Sequence, residues 1–259
     1  MYTNRFHSID DVIRYTPNNQ YNNNINYLIS KSENYRNTAE NPEQVDLKYS
    51  GSSQKPTIYS ENNYLLQEKP TKTYYFTPEI FLNPTRPKTQ FINTTEQIQT
   101  LIEETFELML KKKLPNIIIQ ICNKEELKQI HSRFGLWNDN IQGFALNNSK
   151  QIFVKNNELD SLMLTIGHEI GHVYTRCLTN NHDEEAKAFS FAMQWANTIK
   201  KHNIGNLKDN IKDDFSPAKN GLHDLAFFFV KNLVDKGLKP MQVHSDLVKG
   251  YISLFNFYC

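Results

Sequence analysis

Apolar residues follow a helical period over most of this 259-residue chain, but only beyond about position 92. Ile98, Leu101, Ile102, Phe106 and Leu108 to Leu110 recur at spacings of three and four, which predicts an amphipathic helix. Thr94 or Thr95 is placed to cap its N-terminus, and Lys111-Lys112-Lys113 suits the negative end of its dipole. The short run 117–122 is rich in isoleucine and predicts a buried strand. Asn123 caps a further helix over 124–134, ended by Gly135. Two strand-like runs, 142–146 and 151–154, flank the turn-rich Asn147-Asn148-Ser149-Lys150 and predict a β-hairpin. Helical blocks follow at 158–178, 182–201, 221–236 and 241–255. The expected fold class is α+β, a small mixed β-sheet followed by helices.

The first 92 residues read differently. Asn, Tyr, Ser, Thr and Pro dominate there, as in Tyr15-Thr16-Pro17-Asn18-Asn19-Gln20-Tyr21. Such a composition buries too little apolar surface to offset its ordering entropy. The expectation is a low-complexity segment over 1–92, disordered or covering a cleft as a latency segment, with Pro78, Pro84 and Pro87 marking the linker. One globular domain is then expected over 93–259.

A net charge of +1 gives no field that favours nucleic acid or an anionic membrane. The apolar runs 116–121 and 225–230 are far shorter than the roughly 20 residues that span a bilayer. The first residues lack the apolar core of a secretory signal. The expectation is therefore a cytoplasmic monomer with neither nucleic acid nor membrane as partner. Cys122, Cys177 and Cys259 are odd in number and widely spaced, which predicts buried free thiols rather than a disulfide framework.

The chemistry is concentrated in His168-Glu169-Ile170-Gly171-His172. Residues four apart share a helix face, so both imidazoles can reach one zinc ion. Glu169 would stand beside the metal as general base. Leu162, Leu164, Ile166, Ile170 and Val173 supply an apolar face. Gly167 and Gly171 each cost the helix roughly 0.5–1 kcal/mol relative to Ala, which points to another backbone or the sheet passing close. A catalytic zinc site needs a third protein ligand. Thr175 and Leu178 occupy the positions where the longer metzincin pattern requires Gly and His, so that solution fails. The next helix offers Glu185, which shares a face with Ala188 and Ala192. Glu184 is the runner-up, and Asp183 suits the first turn and its dipole.

These features, with Gly143-Phe144-Ala145 and Ile152-Phe153-Val154 upstream, resemble the ImmA/IrrE-type gluzincins and the compact minigluzincins over about residues 94–198. The resemblance implies a zincin-like domain with His168, His172 and Glu185 binding Zn2+ and Glu169 as base. It also implies an edge strand at Gly143, Phe144 and Ala145 that pairs with an extended peptide substrate. The DNA-binding or sensory module that often accompanies the family has no counterpart in this sequence.

Peptide hydrolysis also needs a group to stabilise the oxyanion. His223, in Gly221-Leu222-His223-Asp224, is the candidate, with Tyr174 behind it; His182 and His244 read as surface residues. The rival to a zinc endopeptidase is a non-catalytic interaction protein with a structural zinc site and a binding tail.

Overall fold

Among the described residues, three strands and six helices form the main frame. The computed structural model describes residues 76–216 and 222–254, with backbone alone at 222 and 223. The features expected before Phe76 therefore lie outside the described residues.

Thr94 caps a 3-10 turn, Thr95–Gln97, with the Gln97 side chain accepting from the Thr94 backbone N–H at 3.0 Å. Helix α1 (Gln99–Leu110) starts only after it, with Ile98 rather than Thr94 or Thr95 at its N-cap. Lys111 ends it in the left-handed region at φ 56°. Strand β2 (Ile118–Cys122) precedes helix α2 (Lys124–His131), where Asn123 and Glu126 form a reciprocal capping box. Strands β3 (Gly143–Leu146) and β4 (Gln151–Lys155) are the expected antiparallel hairpin, joined through a 3-10 turn at Asn147–Ser149. β2 adds parallel to β4, giving the order β2-β4-β3. β2 is thus an edge strand, and Ile118 is 53% exposed. The expectation of a buried strand fails there because only one neighbour covers it.

Helix α3 (Leu159–Val173) runs under this hairpin, and α4 (Asn181–His202) packs along its other side. All of α3 except His172 is buried, including the polar Asp160, Ser161, Thr165, His168 and Glu169. It ends at Val173, short of the expected 178. The glycines explain how closely the two helices approach. A Cβ on Gly167 would lie 2.4 Å from the Trp195 ring, and one on Gly171 would lie 2.8 Å from the Ala188 Cα. Any side chain at 171 would force the α4 backbone away. Helices α5 (Leu222–Asp235) and α6 (Pro240–Val248) close the far side of α4. α6 stops before the expected 255, since Gly250 turns the chain at φ 70°.

The boundary expected at 92/93 falls inside packed chain. Phe76, Ile80, Phe81, Leu82 and Ile92 belong to the same core as α3 and α4. Strand β1 (Phe91–Ile92) pairs with β5 (Asn157–Glu158) directly before α3. Composition concealed this because the apolar residues of 76–92 are few and lie between prolines. Arg86 fixes the segment with an ion pair to Asp160 in the first turn of α3, Nε to Oδ2 at 2.7 Å. Asp160 also accepts from Asn210 Nδ2 at 2.9 Å and from the Ser161 N–H at 2.7 Å. No helix among the described residues is long and apolar enough to cross a membrane. Cys122 is buried as expected, but Cys177 is exposed because the helix has already ended there.

Candidate metal centre

His168 and His172 lie one turn apart on α3, and their Nε2 atoms are 3.3 Å apart. Glu185, in the first turns of α4, brings Oε2 within 3.5 Å of His168 Nε2 and Oε1 within 3.9 Å of His172 Nε2. Ligands held tetrahedrally at about 2.0–2.1 Å from a zinc ion sit about 3.3 Å from one another. The three side chains therefore fit a metal ion with little rearrangement, and together they form a group that could hold one.

The close helix approach is what makes this triad possible. With Gly171 against Ala188, and Ala188 buried, α4 lies near enough for a short carboxylate side chain to meet both histidines. A larger residue at either position would move Glu185 out of reach.

Glu184 takes a different role from its neighbour. Its Oε1 receives the His172 Nδ1–H at 2.8 Å, and Oε2 accepts from the Leu178 N–H at 2.7 Å. A carboxylate at Nδ1 keeps the proton on that nitrogen and leaves the Nε2 lone pair for a metal. Lys187, fully buried, donates to Glu184 Oε1 at 2.9 Å and to the carbonyls of His172 and Arg176 at 3.1 and 2.9 Å. Asn147, in the hairpin turn, also donates to the His172 carbonyl at 2.7 Å. The C-terminal end of α3, whose last carbonyls lack helical partners, is thus tied to both α4 and the hairpin.

Charge at the site follows from this geometry. Burial disfavours the cationic form of His172, but the hydrogen bond to Glu184 and the charges of Glu185, Glu169 and Glu184 outweigh it. The imidazole pKa rises to about 9. Burial likewise opposes ionisation of Glu184, yet His172, the Leu178 N–H and Lys187 hold its pKa below the usual value. A metal ion must displace a proton from His172, so metal affinity should rise with pH.

The triad opens into a pocket of about 290 Å³ lined by Glu169, Glu184, Asn147, Cys177, Phe76 and strand β3. Glu169, 4% exposed, belongs to this wall but not to the metal group. Gly143, Phe144 and Ala145 form one rim. Phe76 stacks on the His168 ring with centroids 4.3 Å apart, and Phe189 meets the same ring edge-on at 4.8 Å.

The structure thus brings together His168, Glu169, His172, Glu185, Gly143, Phe144 and Ala145. His223 stands in the first turn of α5, and its side chain lies outside the described residues. His244, expected at the surface, is buried beside the rings of Tyr174 and Phe191. Asp183 does not serve its own helix end alone, since it accepts from Ser253 Oγ and the Leu254 N–H, both at 2.6 Å. Phe76, Asn147 and Lys187 gave no sequence signal of their own. Only the three-residue spacing of Glu184 and Lys187 on one helix hinted at their pairing.

The centre is a two-histidine, one-carboxylate group on two packed helices that could hold a metal ion. No protein-family model, curated protein or solved structure matches the chain.

Proposed function

We propose that this protein is a zinc-dependent endopeptidase of gluzincin type, acting on peptide or protein substrates in the cytoplasm. One observation carries the reading. A metal-fitting triad, His168, His172 and Glu185, shares its pocket with a nearly buried carboxylate, Glu169, that is not part of the triad. A purely structural zinc site is closed by its protein ligands and needs no base beside it.

Zinc held by the triad would supply the Lewis acidity that activates a water and polarises a peptide carbonyl. The chain's own residues account for the rest. Glu169 takes the proton from the attacking water and delivers it to the departing amine nitrogen. Its low exposure excludes bulk water that would otherwise compete for that proton. Glu184 holds the His172 ring with Nε2 toward His168 and Glu185, where it would hold the metal. Strand β3 offers the backbone groups of its outer edge to an extended substrate. The similarity of the motif to the ImmA/IrrE-type gluzincins supports the same assignment.

Substitution Glu169→Gln tests it. The variant should still bind one equivalent of zinc while losing roughly 10²–10⁴-fold in hydrolysis of an unfolded protein such as casein. Undiminished cleavage would remove Glu169 from the mechanism. Absence of cleavage by the unmodified, zinc-loaded protein would favour the rival reading, a structural zinc site in an interaction protein.

A further inference from the structure

The opposite face of the hairpin carries a row of aromatic residues that the proposed chemistry does not use. Along β3 the side chains alternate. Gly143 faces Val154 and Thr165 of α3, and Ala145 packs on the main core, whereas Phe144 points to the α2 side. There it stacks on Phe153, its register partner on β4, with centroids 5.2 Å apart. His131, at the end of α2, meets the Phe144 ring edge-on at 5.0 Å, and Phe134 lies at 6.2 Å. Phe134 is 60% exposed and Leu136 is 72% exposed.

Single exposed apolar residues need no explanation. Phe134 is different, because its ring continues a packed aromatic row that reaches the pocket rim through Phe144, and Leu136 follows it two residues on. β3 is the outer strand of its sheet, so among the described residues no strand pairs with its second edge. A peptide lying there would place alternate side chains on the two faces. The residue opposite Phe144 would project on the same face as that ring, toward Phe134. Its neighbours in the peptide would project toward α3 and the metal group.

We propose that Phe144, Phe134 and Leu136 form a specificity subsite for an aromatic side chain of an extended peptide bound along β3. The inference rests on the peptidase reading of the pocket and names the class of substrate it selects. A charged side chain at that position would lose hydration without gaining a partner. An alanine would leave the shelf uncovered.

The test uses the zinc-loaded full-length Glu169→Gln protein, so that binding is read without turnover. Fluorescent decapeptides of Ala, Ser, Thr and Lys, with one Phe placed centrally or none, would be titrated by anisotropy. The Phe peptide should bind about tenfold tighter, the value of partly burying one aromatic ring. Adding Phe134→Ser and Leu136→Ser should abolish that advantage and leave the affinity of the Phe-free peptide unchanged. Both residues are exposed, so the fold does not depend on them. Equal affinity for the two peptides, or an advantage that survives the double substitution, would overturn the subsite. If the shelf instead joins two copies of this chain, the double substitution would change the sedimentation profile and not the peptide preference. Cleavage by the unsubstituted protein is a separate readout. Peptides that bind with the preference but are never cut would defeat the peptidase reading and leave the subsite standing.

Discussion

The two ends of helix α3 both bury carboxylates, and they are completed in opposite ways. At the N-terminal end, Asp160 is fully buried and each oxygen is taken, by Arg86, Asn210, the Ser161 N–H and Thr89. Nothing is left over for a ligand. Toward the C-terminal end, Glu169 and Glu185 stand with His168 and His172 around a pocket, and ligand atoms of His168, His172 and Glu185 lie within 4.8 Å of one another. A carboxylate on the same helix braces the fold at one end and lines a pocket at the other. The partner atoms decide which, and not the burial alone.

Substitution should separate the two. Asp160→Ala leaves the Arg86 guanidinium without its counter-charge in a largely buried setting, and breaking such a pair costs about 3–5 kcal/mol. Chemical denaturation should show that loss, while the folded variant keeps its full metal content. Glu185→Ala should do the reverse. Its metal-free stability should change by less than about 1 kcal/mol, and metal affinity should fall by more than the roughly 10–100-fold typical of groups behind the ligands. Metal retained in full by Glu185→Ala would end its assignment as a ligand.

Two histidines extend the contrast to pH. His172 is held above its ordinary value by carboxylates, whereas burial and the nearby Lys187 charge push His244 down to about 4, with Glu184 opposing only in part. Its Nε2 is buried without a hydrogen-bond partner among the described residues. An unfolded histidine titrates near about 6.5. Above that pH both states are neutral and His244 adds no pH dependence. Between about 6.5 and about 4 the unfolded chain takes up a proton that the fold refuses, so stability falls, by on the order of 3 kcal/mol at the acid end. Denaturation midpoints measured across this window in the parent and in His244→Leu should diverge by that amount. Parallel curves would mean that His244 accepts its proton in place.

How much of this was legible in the sequence depended on the range of the interaction. The metal group needed only local spacing: a step of four from His168 to His172, and a helix face shared by Glu185, Ala188 and Ala192. The hairpin was legible because turn residues separate two apolar runs. Gly167 and Gly171 signalled a close neighbour, and that neighbour is Trp195 and Ala188 of α4. What escaped depends on pairing across long stretches of chain. Phe76 reaches His168 from 92 residues upstream, and Arg86 reaches Asp160 from 74 residues upstream. Neither leaves a periodic trace, and the polar composition of the preceding segment hid both. The exposure of β2 was missed for a related reason: an isoleucine-rich run reads as central until the strand order is known.

The smallest predicted effect isolates Glu184 from Glu185. Glu184→Gln can still accept the His172 Nδ1–H, but it removes the negative charge that matches buried Lys187 and strengthens the imidazole as a donor of its Nε2 lone pair. His168, His172 and Glu185 all remain, so the variant should still saturate with one equivalent of metal. Its affinity should be lower by roughly 10–100-fold, the usual cost of losing an orienting partner behind a ligand. Competition against a chromophoric chelator reads this directly, and Lys187→Met should weaken binding in the same direction, because it leaves Glu184 without its buried cation. Loss of all binding in Glu184→Gln would make Glu184 itself a ligand. An unchanged affinity would mean that the 2.8 Å contact to Nδ1 only packs the ring and does not tune it.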